Sequence, residues 1–257
     1  MMVHTFIILA YHESDDLEEC IKSVINQSVK SNVVIATSTP NDYIIDLASK
    51  YSLGVMINEM DSNKGSDYNF AINCFDTELV TIAHQDDLYD RNYTKEILNS
   101  YKKNPDATII FTDNYEINGD RKIKKSKNLL KMRYHLFPLK FLLFQKNKHF
   151  KLRSLKREKY ICTSSVTFVK KNIPDNLFPS DLSYDNDWQG LINLARDKTK
   201  FVYIPKKLVG YRIIPKVGNE NKDLEDEKIL LSLYPKWYYK KIIRRKKSDE
   251  NEKEKYQ

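Results

Sequence analysis

The sequence predicts an α/β protein with a mixed, mainly parallel β-sheet flanked by helices, and three observations support this class. In residues 1–115, short apolar runs alternate with segments of helical period, as in sheets covered by helices. The 257 residues are 41% hydrophobic, so they can bury a sizeable core. The three cysteines are odd in number and widely spaced, which excludes a disulfide framework or a zinc cluster and suits a reducing cytoplasm.

The predicted elements of residues 1–115 follow one another in regular order. Apolar, β-rich runs predict strands at residues 3–10, 32–37, 54–58, 79–83 and 107–112. Helical spacing of apolar residues predicts helices at 17–25, 43–51, 68–75 and 93–103, the last of which ends before Asn104-Pro105. Ser14, Asp15 and Asp16 precede the first helix and are available to cap its N-terminus.

Beyond a tight turn predicted at Asn118-Gly119, the alternation gives way to a strongly basic stretch. Residues 121–159 hold 15 Lys and Arg and a single acid, Glu158, so a local charge of +14 lies within a chain of net charge +8. We interpret this stretch as an insertion. Alternation then resumes with a strand at 160–169, a helix at 187–195 and a strand at 201–204. Helical segments are predicted at 222–245, and residues 246–257 are expected to be disordered.

The basic insertion contains the apolar run 136–144, which is too short to span a bilayer. A core helix with solvated lysines and a helix on an anionic membrane surface explain the pattern about equally well. Nucleic acid is a weaker third alternative, and no nucleic-acid partner is expected. The N-terminal apolar run 6–10 lacks the charged start and cleavage site of a signal peptide. We therefore expect a cytoplasmic protein with peripheral contact on the inner face of the cell membrane.

Two adjacent carboxylates, Asp86 and Asp87, follow the predicted strand 79–83. Open α/β sheets bind their ligands at the C-terminal ends of their strands. Hard carboxylate oxygens suit Mg²⁺ or Mn²⁺, and such a metal can bridge to a diphosphate and neutralise the charge on a departing nucleotide. The alternative is that the pair only caps the helix that follows.

Several motifs resemble those of family 2 glycosyltransferases, which have the Rossmann-like GT-A fold, and the similarity extends from Phe6 to about Arg212. Residues 10–14 and 62–71 are similar to the family's first two nucleotide-side motifs, although the family commonly has Asn at His12. His84-Gln85-Asp86-Asp87 resembles its Asp-x-Asp metal site, with His at the first acidic position. The resemblance implies metal ligands at His84, Asp86 and Asp87. It implies a nucleotide-sugar site formed by Ala10, Tyr11, Glu13, Ser38, Asp67, Asn69, Gln85, Asp86 and Arg212.

The sequence departs from the family pattern at two further places. The family often has a base-recognising Asp after the second strand, where this chain has Ser38 and Thr39; these hydroxyls bind the base or ribose, or only form a turn. Residues 208–214 resemble a closing segment with a metal- or diphosphate-binding His, whose place Ile214 takes. Arg212 there contacts phosphate or packs against the following helix. We therefore expect the metal to be held largely by Asp86, Asp87 and the donor's own diphosphate.

Residues 183–189 resemble the acidic motif that supplies the family's catalytic base. An acceptor hydroxyl is a poor nucleophile until a positioned carboxylate accepts its proton. The resemblance implies Asp187 as that base, with Asp185 as the second candidate. From the residues alone, the alternative is an Asp that caps the helix after it.

The resemblance implies an inverting glycosyltransferase that moves a sugar from a nucleotide-diphosphate sugar to a glycan or lipid-linked glycan of the bacterial cell-surface kind. A single domain at residues 1–245 would bind the donor through residues 1–115 and the acceptor through residues 160–214. Two other classes remain open. A metal-dependent nucleotidyltransferase would release pyrophosphate, and a non-catalytic scaffold or binding subunit would explain His84 and Ile214 at expected ligand places.

Overall fold

The computed structural model describes residues 3–59, 64–155, 160–179 and 186–213. Its strands are β1 (His4–Leu9), β2 (Asn32–Thr37), β3 (Gly54–Ile57), β4 (Leu79–His84), β5 (Leu88–Tyr89), β6 (Ile109–Asn118), β7 (Arg121–Ile123), β8 (Val166–Val169) and β9 (Phe201–Arg212). Its helices are α1 (Leu17–Ile25), α2 (Asp42–Lys50), α3 (Lys64–Asn73), α4 (Tyr93–Lys103), α5 (Lys127–Leu136), α6 (Leu142–Gln145), α7 (Lys148–Ser154) and α8 (Asn186–Arg196).

The described strands form one mixed sheet in the order β3-β2-β1-β4-β8-β6-β9-β5, with β7 paired to β6. Strands β3, β2, β1 and β4 are parallel, and β8 lies antiparallel between β4 and β6. Strand β9 runs parallel to β6 and antiparallel to β5. This arrangement, with helices between the strands, confirms the predicted α/β class.

Two hydrophobic clusters cover the two faces of the sheet. In β1, Ile7 belongs to the cluster that includes buried residues of α3, α5, α7 and α8, whereas Phe6 and Ile8 belong to the cluster with α1, α2 and α4. Successive side chains of a strand point to opposite faces, so a strand buried on both faces is a continuous apolar run. This is why residues 6–9 of β1 are all apolar.

The later strands differ in detail from the prediction. The turn predicted at Asn118-Gly119 is confirmed, with Gly119 at φ +55° between β6 and β7. Strand β9 continues well past the predicted end, because Pro205 lies where the β6–β9 register shifts and needs no ladder hydrogen bond there. The predicted strand 160–169 is shorter, since a 3-10 turn at Thr163–Ser165 precedes β8.

The start of α1 also differs from the prediction. Asp16 is the N-cap residue of α1, but its side chain makes no capping hydrogen bond. Its carboxylate lies 3.1 Å from the Arg212 Nε instead. The expected capping role of Asp16 is therefore wrong, because its carboxylate forms an ion pair with Arg212 at the end of β9.

The basic insertion folds into α5, a 3-10 turn at Phe137–Lys140, α6 and α7. One face of α5, formed by Leu129, Met132 and Leu136, packs into the core. Within the apolar run 136–144, Leu136 and Leu139 are buried, but four of the other apolar side chains are exposed, so the run does not form a core helix. The Lys151 Nζ on α7 donates to the carbonyls of Asp197 and Thr199, at 2.8 and 2.9 Å, just beyond the C-terminal end of α8. Burial lowers the pKa of Lys151 to about 8. The insertion is thereby attached to α8.

Some predicted features lie outside the described residues. These are the helical segments at 222–245, the tail at 246–257 and the end of the insertion at 156–159. Of the helices that the structure does describe, none combines the length and apolar character needed to cross a bilayer.

Candidate active site

The parallel strands β2, β1 and β4 end at one edge of the sheet, with Leu9 opposite both Ala36 and His84. The loops after these strands are therefore neighbours. The Gln85 side chain joins two of them, since its amide oxygen accepts from the Tyr11 N–H at 2.8 Å and its amide nitrogen donates to the Tyr11 carbonyl at 3.0 Å. Ala10 is buried at the base of this loop, while Tyr11 and Glu13 are exposed.

His12 has a left-handed backbone, with φ +53°, and its N–H donates to Thr39 Oγ1 at 2.8 Å. Asn and His are among the non-glycine residues that occur most often in this conformation. The conformation therefore accounts for His at a position where the resembling family commonly has Asn.

His84, Asp86 and Asp87 bring ligand atoms within 4.8 Å of one another at the end of β4. Asp87 is fully buried, and its carboxylate accepts hydrogen bonds from the Ser164 hydroxyl and, at 3.0 Å, from the Arg212 N–H. Burial raises the pKa of Asp87 to about 6. Asp86 is partly exposed and is the more open carboxylate of the pair. Two carboxylates and an imidazole form a donor set that fits a divalent ion such as Mn²⁺ or Mg²⁺.

Both ring nitrogens of His84 have partners. The Nε2 lies 2.6 Å from the Tyr68 hydroxyl, and the Nδ1 lies 3.1 Å from the Ser164 hydroxyl. A neutral imidazole donates through one nitrogen and accepts through the other. These contacts fix the ring orientation, so His84 can act as a ligand or can orient the ligands beside it.

The 3-10 turn at Thr163–Ser165 connects the carboxylates of the site. The Thr163 hydroxyl donates to Asp187 Oδ2 at 2.6 Å, while the next residue, Ser164, contacts both His84 and Asp87. The position of the turn is fixed by the Tyr89 hydroxyl, which donates to the Ser164 carbonyl at 2.6 Å. Two adjacent residues of this turn therefore contact Asp187 on one side and the candidate metal ligands on the other.

The Tyr68 hydroxyl, which contacts His84, is buried beside these carboxylates. Burial raises the pKa of this hydroxyl well above the usual range, and the negative charges of Asp187, Asp87 and Asp86 raise it further. All three carboxylates therefore lie close enough to act on one phenol. Asp185, the second candidate base, lies outside the described residues.

The thiol of Cys162, next to this turn, is half-buried, and burial raises its pKa well above the ordinary value. A protonated thiol is a weak nucleophile. The turn therefore contributes hydroxyl groups rather than a thiolate.

A second polar group lies at the ends of β2 and β3. The Asp67 carboxylate on α3 accepts from the Ser38 hydroxyl at 3.2 Å and from the Asn58 amide at 2.8 Å. Asp67 thus brings a carboxylate to the place after β2 where the sequence itself has none. Asn69, the next predicted donor contact, uses its amide to hold the Phe178 backbone, with bonds of 2.7 and 2.9 Å.

Arg212 lies at the end of β9 and joins three parts of the site edge. Its Nε donates to the Asp86 carbonyl at 3.0 Å, and its guanidinium pairs with Asp16 and Glu19 of the α1 region. Contact with a donor phosphate stays a prediction for this residue. Ile214 lies outside the described residues.

The sequence prediction missed three residues of this arrangement. The sequence places Thr163 and Ser164 only within the predicted strand 160–169, and Asn58 only at the end of the predicted strand 54–58. Ser, Thr and Asn are common in turns, so their types alone carry no signal.

Sequence comparison gives one family match. The model of the family described as Glycosyl transferase family 2 matches residues 5–173 of the 257. Among curated protein sequences, none matches the chain significantly.

Solved structures align over most of the chain at low identity. The crystal structure of S. aureus TarS 1–349 has a TM-score of 0.64 at 16% identity, covering 90% of this chain and 65% of that chain. The same TarS fragment in complex with UDP-GlcNAc has a TM-score of 0.62 at 14% identity, covering 90% and 66%. The mannosyltransferase PcManGT from Pyrobaculum calidifontis, in complex with GDP-Man and Mn²⁺, has a TM-score of 0.59 at 15% identity, covering 95% and 64%. The chain spans just under two thirds of the first TarS structure, and the likeness confirms the GT-A fold.

Proposed function

Since the chain belongs to glycosyl transferase family 2, we propose that it transfers a sugar from a nucleotide-diphosphate sugar to a hydroxyl of a glycan or lipid-linked glycan. The observation that carries this proposal is the turn at Thr163–Ser165, which contacts Asp187 through one residue and His84 and Asp87 through the next. A base and a metal site on adjacent residues of one turn suit a reaction in which a hydroxyl attacks as a diphosphate leaves.

Asp187 is the proposed base. The acceptor oxygen attacks the anomeric carbon, its proton passes to the Asp187 carboxylate, and the bond to the nucleoside diphosphate breaks on the opposite face. A single displacement of this kind inverts the anomeric configuration. The Thr163 hydroxyl donates to one carboxylate oxygen of Asp187 and so helps to position the carboxylate. Asp185 remains the second candidate.

His84, Asp86 and Asp87 are the residues proposed to hold a divalent ion. When bound, Mn²⁺ or Mg²⁺ supplies positive charge that stabilises the departing diphosphate. Mn²⁺ is the first candidate, because carboxylate oxygens suit it and PcManGT was solved with Mn²⁺. The Asp87 carboxylate already accepts two hydrogen bonds, so we propose that the ion binds weakly until a nucleoside diphosphate supplies further oxygens.

The donor is proposed to lie across the ends of β1, β2 and β4. Ala10, Tyr11, Glu13, Ser38, Asp67, Asn69, Gln85, Asp86 and Arg212 are the proposed contacts. TarS was solved with UDP-GlcNAc and PcManGT with GDP-Man, which supports a uridine or guanosine diphosphate sugar. Both bases carry an N–H that a carboxylate such as Asp67 can accept.

The domain organisation and biological setting are part of the same proposal. Residues 1–115 bind the donor and residues 160–214 the acceptor, within one domain at 1–245. The acceptor is a precursor of a bacterial cell-surface polysaccharide, and the protein works in the cytoplasm with peripheral contact to an anionic membrane. The basic insertion, which has one face in the core and another exposed, supports that contact.

The test incubates the protein with Mn²⁺, lipid-linked acceptors and a panel of UDP-, GDP- and dTDP-sugars. The measurement is the identity of the nucleotide that is released. Release of one nucleoside diphosphate that depends on metal and acceptor is expected. Release of pyrophosphate from a nucleoside triphosphate would indicate a nucleotidyltransferase instead. Absence of turnover by folded protein across the panel would favour a non-catalytic binding subunit.

A further inference from the structure

A row of exposed apolar side chains lies along the surface of the basic insertion. Leu130, Tyr134 and Phe137 are separated by four and three residues, so they lie on one face of α5 and its extension. The Phe137 ring lies 5.5 Å from the Phe141 ring, and the chain then continues into two exposed leucines. We call these six residues the insertion ridge: Leu130, Tyr134, Phe137, Phe141, Leu142 and Leu143.

The insertion ridge is large for a protein surface. Leu143, Leu142 and Tyr134, at 81%, 71% and 68% exposure, are the most exposed large apolar residues in the part of the chain that the structure describes. All six side chains are about half exposed or more. Large exposed apolar patches on a monomer mark interaction sites. The core-facing side of α5 is a different face, so the ridge is not needed for folding the core.

The charge around the ridge selects its partner. Lys127, Lys131, Lys140 and Lys148 are near it in the sequence and are exposed, and the Lys140 Nζ lies 5.2 Å from the centre of the Phe137 ring. The sequence from 121 to 155 contains no Asp or Glu. An anionic lipid surface offers hydrocarbon for the ridge and negative headgroups for the lysines. A second copy of the chain would bring lysines against lysines.

The ridge is connected to the helix that carries the proposed base. The Trp188 indole at the start of α8 donates to the Leu155 carbonyl at 2.7 Å, and Lys151 holds the carbonyls beyond the other end of α8. The insertion is therefore attached to both ends of α8. The ridge and Asp187 therefore belong to neighbouring segments that are joined through α7.

We propose that the insertion ridge enters the surface of an anionic membrane, with the flanking lysines on its headgroups, and that this contact turns the acceptor side toward the bilayer. The inference deepens the proposed membrane contact and rests on the proposed function only for the identity of the acceptor. The apolar ridge, rather than the lysine cluster alone, provides the anchor.

The test measures flotation of the full chain with vesicles of phosphatidylcholine alone or mixed in equal parts with phosphatidylglycerol. Leu142→Ser with Leu143→Ser is expected to lower the bound fraction on mixed vesicles at least about tenfold, at low and high salt alike. The matched control is Val29→Ser with Ile45→Ser, which changes two exposed apolar residues elsewhere and is expected to bind as wild type.

The lysines are tested in the same assay. Lys131→Gln with Lys140→Gln is expected to weaken binding at low salt and to have little effect at high salt, because headgroup attraction is screened. Lys102→Gln with Lys103→Gln on α4 is the control and is expected to leave binding unchanged. Circular dichroism of each variant establishes that it is folded.

Two results would overturn the proposal. One is wild-type flotation that Leu142→Ser with Leu143→Ser leaves intact. The other is failure of the folded wild type to float. If, in addition, the wild type is a dimer and Leu142→Ser with Leu143→Ser is a monomer, the ridge binds a second copy of the chain. The flotation assay contains no donor or acceptor, so a negative result does not contradict the proposed sugar transfer. Likewise, a negative result from the donor panel does not contradict vesicle binding.

Discussion

His4 makes the fold sensitive to acid, and the structure gives both the sign and the size of the effect. The residue is buried at the start of β1, where its two ring nitrogens lie 2.8 Å from the Ser31 and Thr81 hydroxyls. Its ring packs edge-on against Phe6 at 4.7 Å. Hydroxyl partners cannot neutralise an imidazolium charge, and burial lowers the pKa of His4 from 6.5 to about 3.

The pKa difference sets the pH range of the effect. Below pH 6.5 the unfolded chain binds a proton at His4, whereas the folded chain does so only at about pH 3. The stabilisation is therefore complete above pH 6.5 and is lost as the pH falls. The loss is about 1.4 kcal/mol per pH unit and reaches roughly 5 kcal/mol at the lower end. That total is comparable with the free energy of unfolding of a small protein, about 5–15 kcal/mol.

The assay is urea unfolding, followed by tryptophan fluorescence, of wild type and His4→Gln between about pH 7 and 4.5. The variant is expected to be less stable at neutral pH, because one buried hydrogen bond is lost. Its free energy of unfolding should fall less steeply below pH 6.5, by about 1.4 kcal/mol per pH unit, while other titrating groups cancel in the comparison. His149→Gln changes an exposed histidine and should keep the wild-type slope. Equal slopes for His4→Gln and wild type would refute the reasoning.

Three further predictions concern the site and its support. Electron paramagnetic resonance should show weak Mn²⁺ binding, because the Asp87 carboxylate already accepts two hydrogen bonds. The affinity should rise about tenfold with UDP or GDP, and binding should be lost in Asp86→Asn. Tight Mn²⁺ binding without nucleotide would contradict this. Thr163→Val should lower kcat about tenfold at unchanged donor KM, because the Asp187 carboxylate loses its 2.6 Å hydrogen bond, while Thr163→Ser retains activity; equal kcat values would exclude the role. Gly190→Ala should cost about 1–3 kcal/mol in urea unfolding, because an added Cβ would lie 2.7 Å from the Phe178 ring, whereas Gly54→Ala has open space; equal costs would contradict this.

The sheet could be predicted because its pattern is local. Strands β1, β2 and β4 are buried on both faces, so each consists largely of apolar residues, which a short window of sequence detects. The pair Asp86-Asp87 was found for the same reason, since it directly follows such a run. The length of β9 was underestimated, because a proline such as Pro205 normally ends a strand. The bulge that accommodates it depends on the pairing with β6.

The contacts that organise the site could not be predicted from the same pattern. Asp16 is a plausible helix cap in the sequence, yet its partner is Arg212, which is nearly two hundred residues away. Ser164 contacts Asp87 and His84, and nothing near it in the chain distinguishes it from an ordinary turn residue. In α5, apolar residues occur on two faces, and only packing determines which face is buried.

The most direct test of the proposed reaction is the turnover of Asp187→Asn alongside its binding of donor and Mn²⁺. The amide oxygen can still accept from Thr163, so the variant keeps the shape of the site but cannot accept the acceptor proton. We predict that kcat falls about 10²–10⁴-fold while donor affinity and its dependence on Mn²⁺ are retained. Activity close to that of wild type would contradict the assignment of Asp187 as the base.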